Sequence, residues 1–121
     1  MIISFLINCS PLSANSVSAL LLAKSFIIKK HTILQFFFQG EGAYFGLPVA
    51  PSSSIDTPQI TEQWHNFAQE NNIPLLICTN SAANRGLFTI EHKILSPWFQ
   101  IAGLSQFIEA SLLSDRVIQF A

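Results

Sequence analysis

One stretch of the chain joins a thiol to the kind of backbone that can activate it. It reads Ile73-Pro74-Leu75-Leu76-Ile77-Cys78-Thr79-Asn80-Ser81-Ala82-Ala83-Asn84-Arg85-Gly86. Proline is tolerated at the first residue of a strand, so Pro74 fits just there. Leu75 to Ile77 then read as a short strand buried on both faces. Asn80 or Ser81 is a good N-cap, Ala82, Ala83 and Arg85 are good helix formers, and Gly86 suits a C-cap. Cys78 is therefore expected at the carboxyl end of a strand, one short loop before a helix start. In open α/β sheets that edge is where ligands bind. Backbone N–H groups at a helix start favour an anion, and a thiol held there ionises more readily than a free one. Such a cysteine is a nucleophile, and an anionic persulfide on it is stabilised in the same way. The other reading is a buried, inert cysteine, for cysteine is among the residues most often found inside.

Other groups could join Cys78 if the chain brings the carboxyl ends of its strands together. Gln39-Gly40-Glu41-Gly42-Ala43-Tyr44-Phe45-Gly46 has three glycines within seven residues, with Glu41 near a first turn. Its spacing is not that of a dinucleotide-binding loop. Glu41 is either an acid, base or orienting group in the cleft, or a solvated charge at a helix start. Arg85 supplies positive charge near the thiolate or pairs with a surface carboxylate. His31, His65 and His92 are far apart and lack ligand spacing; only His92 is kept as a proton carrier. Cys9 and Cys78 form no metal pattern, and no phosphate loop or cofactor motif is present.

The elements that must position these groups follow from periodicity. Ile2 to Ile7 is a β-rich apolar run, and Asn8 to Ser16 a loop with Cys9 near its start, also at the carboxyl end of a strand. Ser13 or Asn15 can cap a helix to about Lys29, with Ala19, Leu20, Leu22, Ala23, Phe26 and Ile27 on one broad stripe. His31 to Phe38 is a second strand whose Phe36-Phe37-Phe38 run implies burial on both faces. Leu47 to Pro58 reads as an exposed loop. A helix from Pro58 or Gln59 to about Glu70 places Ile60, Trp64, Phe67 and Ala68 together. After the Cys78 segment come a strand at Trp98 to Ala102 and a helix at Leu104 to Leu113. That helix sets Leu104, Phe107, Ile108, Ser111 and Leu112 on one side. Arg116 to Phe120 is the last strand. Such alternation predicts one three-layer α/β/α domain over residues 1–121, with a mainly parallel five-stranded sheet and helices on both faces. Right-handed crossovers then put Asn8 to Ser13, Gly40 to Tyr44 and Cys78 to Ser81 on one edge.

Composition narrows the function classes. The 121 residues are 50% hydrophobic and 11% charged, against about 25% charged in ordinary soluble domains. A chain this short cannot hide so much apolar surface alone, so a partner is expected to cover part of it. The net charge of -1 comes without a basic block, so no direct grip on nucleic acid is expected. Val17 to Ile28 is too short and too interrupted to span a membrane. Met1 to Ile7 lacks the pattern of a signal peptide, which leaves a cytoplasmic protein with reduced thiols as the expectation.

Three segments together resemble the DsrE-like sulfur-relay proteins nearly end to end. Phe38-Gln39-Gly40-Glu41-Gly42-Ala43-Tyr44 is similar to the family's aromatic-x-x-E-G-V-Y loop. Leu76-Ile77-Cys78 with Ala82-Ala83-Asn84-Arg85-Gly86 resembles its strand, active cysteine and A-A-x-R-R-G helix. Gly103-Leu104, Glu109-Ala110-Ser111-Leu112 and Asp115-Arg116-Val117 resemble its closing segment. The resemblance implies that Cys78 carries a persulfide in a relay of the TusBCD kind. It implies sulfur taken from a TusA-type donor and passed to a TusE-type acceptor, ending as 2-thiouridine at the wobble position of transfer RNA. It also implies a heterohexamer with related subunits of TusB and TusC type. Glu41, Tyr44, Asn80, Ser81 and Arg85 stand as supporting residues. Asn84 departs from the family pattern, which usually has its first arginine there, and Cys9 has no role in that pattern. Two alternatives stay open: a non-catalytic assembly subunit, and a sulfur-oxidation relay of the DsrEFH kind.

Overall fold

The structure, a computed structural model, describes residues 1–48, 59–89 and 91–121. Most of the expected loop 47–58 lies outside them. The strands are β1 (Ile2–Ile7), β2 (Thr32–Phe38), β3 (Leu75–Cys78), β4 (Gln100–Ala102) and β5 (Arg116–Phe120). The helices are α1 (Ala14–Ile28), α2 (Ile60–Asn71), α3 (Thr79–Asn84) and α4 (Leu104–Leu112), and a 3-10 segment spans Gly40–Gly46. The sheet runs β4-β3-β2-β1-β5 and every neighbouring pair is parallel, as the alternation predicts.

That order explains the layers. The chain steps outward from β1 to β4, then returns past β1 to add β5. A right-handed crossover places its helix on opposite faces for opposite directions of travel. So α1 and α2 pack on one face, with Ala19, Leu20, Ala23, Trp64, Phe67 and Ala68 in the main core. α4 packs on the other face, where Phe107 joins a small cluster with Leu6, Phe37, Leu76, Cys78 and Ala102. Phe36 sits at the centre of the main core, edge-on to Trp64 at 4.7 Å and to Phe5 at 5.3 Å.

Local signals hold with small shifts. Ser13 caps α1, its Oγ accepting from Asn15 N. Asn72 ends α2 in the left-handed conformation, which asparagine tolerates better than most residues. The α4 stripe is the larger departure. None of its residues is buried, and Leu104, Ile108 and Leu112 are exposed. Periodicity marks an apolar side without saying what covers it. Here Phe107 faces the sheet, and a buried polar seam holds the helix down. Gln35 Nε2 donates to Phe107 O at 3.3 Å and to Ser4 Oγ at 3.2 Å, and Ser4 Oγ hydrogen-bonds Ser114 Oγ at 2.6 Å.

The 3-10 segment needs its glycines for different reasons. Gly40 has φ +59°, a region costly for most other residues. A Cβ on Gly42 would overlap the carbonyl oxygen of Ile7, the last residue of β1. The loop is thus seated directly on the strand end. Gly42→Ala must push backbone apart, and a loss of about 1–3 kcal/mol is expected. Gly86→Ala should cost about 1–2 kcal/mol from its positive φ alone, since a Cβ there meets nothing within 4 Å. Urea unfolding of the two variants measures both losses.

Candidate active site

The carboxyl ends of β1, β2 and β3 form one edge, and three segments meet there. β3 runs straight into α3, with no intervening loop: Cys78 is both the last residue of the strand and the N-cap of the helix. This corrects the expected cap at Asn80 or Ser81. Those residues lie inside the first turns, where Asn80 is exposed and Ser81 buried. Ser81 instead ties α3 to the glycine loop, its Oγ accepting from Gly40 N at 2.9 Å.

Arg85 completes the tie. It is the C-cap of α3, and its guanidinium donates to Ser81 O and to Glu41 Oε1, each at 3.3 Å. It also lies over the Tyr44 ring, 5.7 Å from the centroid. Glu41 is 60% exposed, so the ion pair is a surface contact worth about 0.2–1 kcal/mol. Of the two readings of Arg85, the geometry has it paired with a carboxylate. Glu41, Tyr44, Ser81 and Arg85 thus form one connected group joining the 3-10 segment to α3. Tyr44 packs against the main core, whereas the Cys78 side chain belongs to the small cluster under α4. The four link the glycine loop to the helix that Cys78 caps, and none of them makes a hydrogen bond to its thiol. A groove of about 760 Å³ beside Glu41 and Tyr44 is lined also by Ser10, Leu12 and Ile60, and by neither cysteine.

The two cysteines are unpaired and point to different cores. Cys9 joins the main core and Cys78 the cluster under α4, each only 5% exposed. Burial pushes the Cys9 thiol above its ordinary value of 9.0, with its own backbone N–H opposing weakly. A raised value leaves Cys9 neutral throughout the physiological range. Any stability it contributes as a thiol is complete below 9.0 and is lost as pH rises from there through the raised value. Cys9 is therefore expected to react with iodoacetamide at pH 7 more slowly than a free thiol, measurable by peptide mass spectrometry.

The histidines stay apart. His65 stacks on Trp98 at 4.1 Å, His31 Nδ1 meets the amino terminus at 2.8 Å, and His92 is exposed. Among the described residues no group of three or more His, Cys, Asp or Glu could hold a metal. No helix among them is long and apolar enough to cross a membrane. Reading the sequence missed Gln39, Asn8 and Gln119, whose side-chain amides are hydrogen-bonded along this same edge. No local motif marks them; they meet only through strand register.

A doubly wound parallel sheet with a cysteine at its carboxyl edge defines a class of α/β domain, and comparison places the chain within it. The chain belongs to the DsrE/DsrF-like family, which it matches over residues 1–120. A Haemophilus influenzae protein named "Sulfurtransferase TusD homolog" is 36% identical over 102 residues, covering 79% of this chain and 80% of that protein. "Sulfurtransferase TusD" of Proteus mirabilis is 36% identical over 112 residues, 85% of each chain. The crystal structure of the ychN protein from E. coli superposes with a TM-score of 0.77 at 20% identity, covering 98% of this chain and 97% of that one. That likeness is one of fold.

Proposed function

We propose that this chain is a sulfur-relay sulfurtransferase of the TusD kind, one domain over residues 1–121, working in the cytoplasm and carrying sulfane sulfur as a persulfide on Cys78. The observation that carries the proposal is the position of Cys78. It ends an interior strand and caps a helix, on the edge where α/β folds bind ligands, in a chain whose relatives are named sulfurtransferases. A donor persulfide of TusA type gives up its outer sulfur to the Cys78 thiolate, and the donor leaves as a thiolate. An acceptor thiolate of TusE type then attacks that outer sulfur. Its new S–S bond forms as the bond to Cys78 Sγ breaks, and the electron pair returns to Cys78. No net oxidation occurs at either step. Thiolation of wobble uridine in transfer RNA lies downstream, so the chain itself needs no grip on nucleic acid.

The exposed stripe Leu104, Ile108 and Leu112 on α4 supports assembly with related subunits of TusB and TusC type in a heterohexamer. Co-expression with two such subunits should yield a stable complex, read by analytical ultracentrifugation. The proposal is tested by incubating that complex with a persulfide donor and a thiol acceptor and following labelled sulfur. Passage through this chain is the expected result. A second reading is supported by the burial of Cys78: an assembly subunit whose partner holds the reactive thiol. Label that reaches the acceptor without ever residing on this chain would favour it.

A further inference from the structure

Sheet register lines up side chains on either side of Cys78. β1 and β2 pair Leu6 with Phe37 and Ile7 with Phe38; β2 and β3 pair Phe37 with Leu76 and Phe38 with Ile77. One residue further, the same register sets Asn8, Gln39 and Cys78 abreast, and Cys78 pairs with Ala102 of β4. Side chains alternate along a strand. This row therefore shares the face of Leu6, Phe37 and Leu76, the residues that cluster with Cys78 under α4.

Gln119 of β5, which pairs with Leu6 on that same face, leads into the row, and the amides form a directed chain. Gln119 Nε2 donates to Asn8 Oδ1 at 2.7 Å, and Asn8 Nδ2 donates to Gln39 Oε1 at 3.2 Å. Both bonds are donated in the direction that runs from β5 toward β3, and the Gln39 carbonyl takes the second from the β1 side. Gln39 Nε2 ends the chain with no hydrogen-bond partner among the described residues. It stands on the strand beside Cys78. Hydrogen bonds in series polarise one another, which strengthens the terminal donor.

We propose that Gln39 is the hydrogen-bond donor to the sulfur anion at Cys78, and that Asn8 and Gln119 are positioning residues that fix its orientation. This rests on the reading of Cys78 as the persulfide carrier. When an acceptor thiolate attacks the outer sulfur of the Cys78 persulfide, the S–S bond to Sγ breaks and the electron pair passes to Sγ. The outer sulfur leaves with its proton on the acceptor. Negative charge thus appears on Sγ, and an N–H donor held on the neighbouring strand lowers the barrier when it meets that charge. The resting thiol makes no hydrogen bond to Gln39; the charge formed on transfer is what the donor meets.

The test uses the full chain loaded with a polysulfide and discharged by dithiothreitol in a single turnover. In parallel, the unloaded chain is alkylated at Cys78 by iodoacetamide. Gln39→Leu keeps the bulk and removes the donor, and should slow both reactions about tenfold. Gln39→Lys restores N–H donors and should stay within about threefold of the parent. Asn8→Ala frees the donor to turn and should fall between them. If Gln39→Leu fails to fold, Gln39→Glu replaces it, with an acceptor where the donor was. Parent rates in Gln39→Leu, or equal slowing in Gln39→Leu and Gln39→Lys, would overturn the proposal, since a space-filling role does not distinguish a donor. If the parent chain takes up no sulfur, the carrier reading fails on its own, and the alkylation rates still decide the role of Gln39.

Discussion

Cys78→Ser is expected to take up no sulfur from a persulfide donor and to deliver none to an acceptor. A hydroxyl cannot form the S–S bond on which the relay depends, so loss should be complete rather than partial. The fold should survive. Cys78 is buried among Phe37, Ala102 and Phe107, and serine changes the volume little. A hydroxyl in that cluster does lose hydration, which costs about 1–3 kcal/mol if it finds no partner. Total stability of a domain is about 5–15 kcal/mol, so a folded but inactive protein is the expected product. Circular dichroism and intact-mass measurement on the same sample separate loss of chemistry from loss of fold. Cys9→Ser is the control. Its side chain lies in the other core, and transfer should be nearly unchanged.

Phe36→Ala is expected to have the largest effect on stability. Phe36 is fully buried and meets Phe5, Trp64 and Phe67 with ring centroids 5.3, 4.7 and 6.2 Å away. It joins β2 to α2 and to β1 at once. Truncation removes the ring and leaves a cavity that three aromatic neighbours cannot readily fill, at a cost of about 3–5 kcal/mol. In a domain of this length the melting temperature should fall by roughly 10–20 °C. Differential scanning calorimetry would read it. Phe37→Ala offers a comparison on the other face. Phe37 packs on Phe107 at 4.8 Å under a helix with no buried residue. Its thinner cover can relax, so a smaller loss is expected.

Much of the architecture was legible because α/β proteins write it twice, once in alternation and once in burial. Ile2 to Ile7 apart from Ser4, Phe36 to Phe38 and Leu75 to Ile77 are apolar on both faces, as a parallel sheet covered on both sides requires. Cys78 was legible as a strand end because apolar residues stop there and small polar ones begin. The helix start was misplaced because N-cap preference favours serine and asparagine. Here the strand's own last residue takes the cap, and no residue is spent on a turn. Partnerships across the sheet were not legible. Arg85 finds Glu41 across 44 positions of sequence. Asn8 and Gln119 meet across 111. Such pairings depend on strand order, and alternation alone does not say that β5 returns beside β1. The exposure of Leu104, Ile108 and Leu112 was hidden for a related reason. An apolar stripe is the same in sequence whether it faces its own sheet or another chain.

The most direct test of the central claim is peptide mapping after brief exposure of the complex to isotopically labelled sulfane sulfur. The peptide containing Cys78 should gain one labelled sulfur atom and lose it when acceptor thiol is added, while the Cys9 peptide stays unlabelled. Label on Cys9, or a Cys78 peptide that remains unmodified while sulfur still reaches the acceptor, would contradict it.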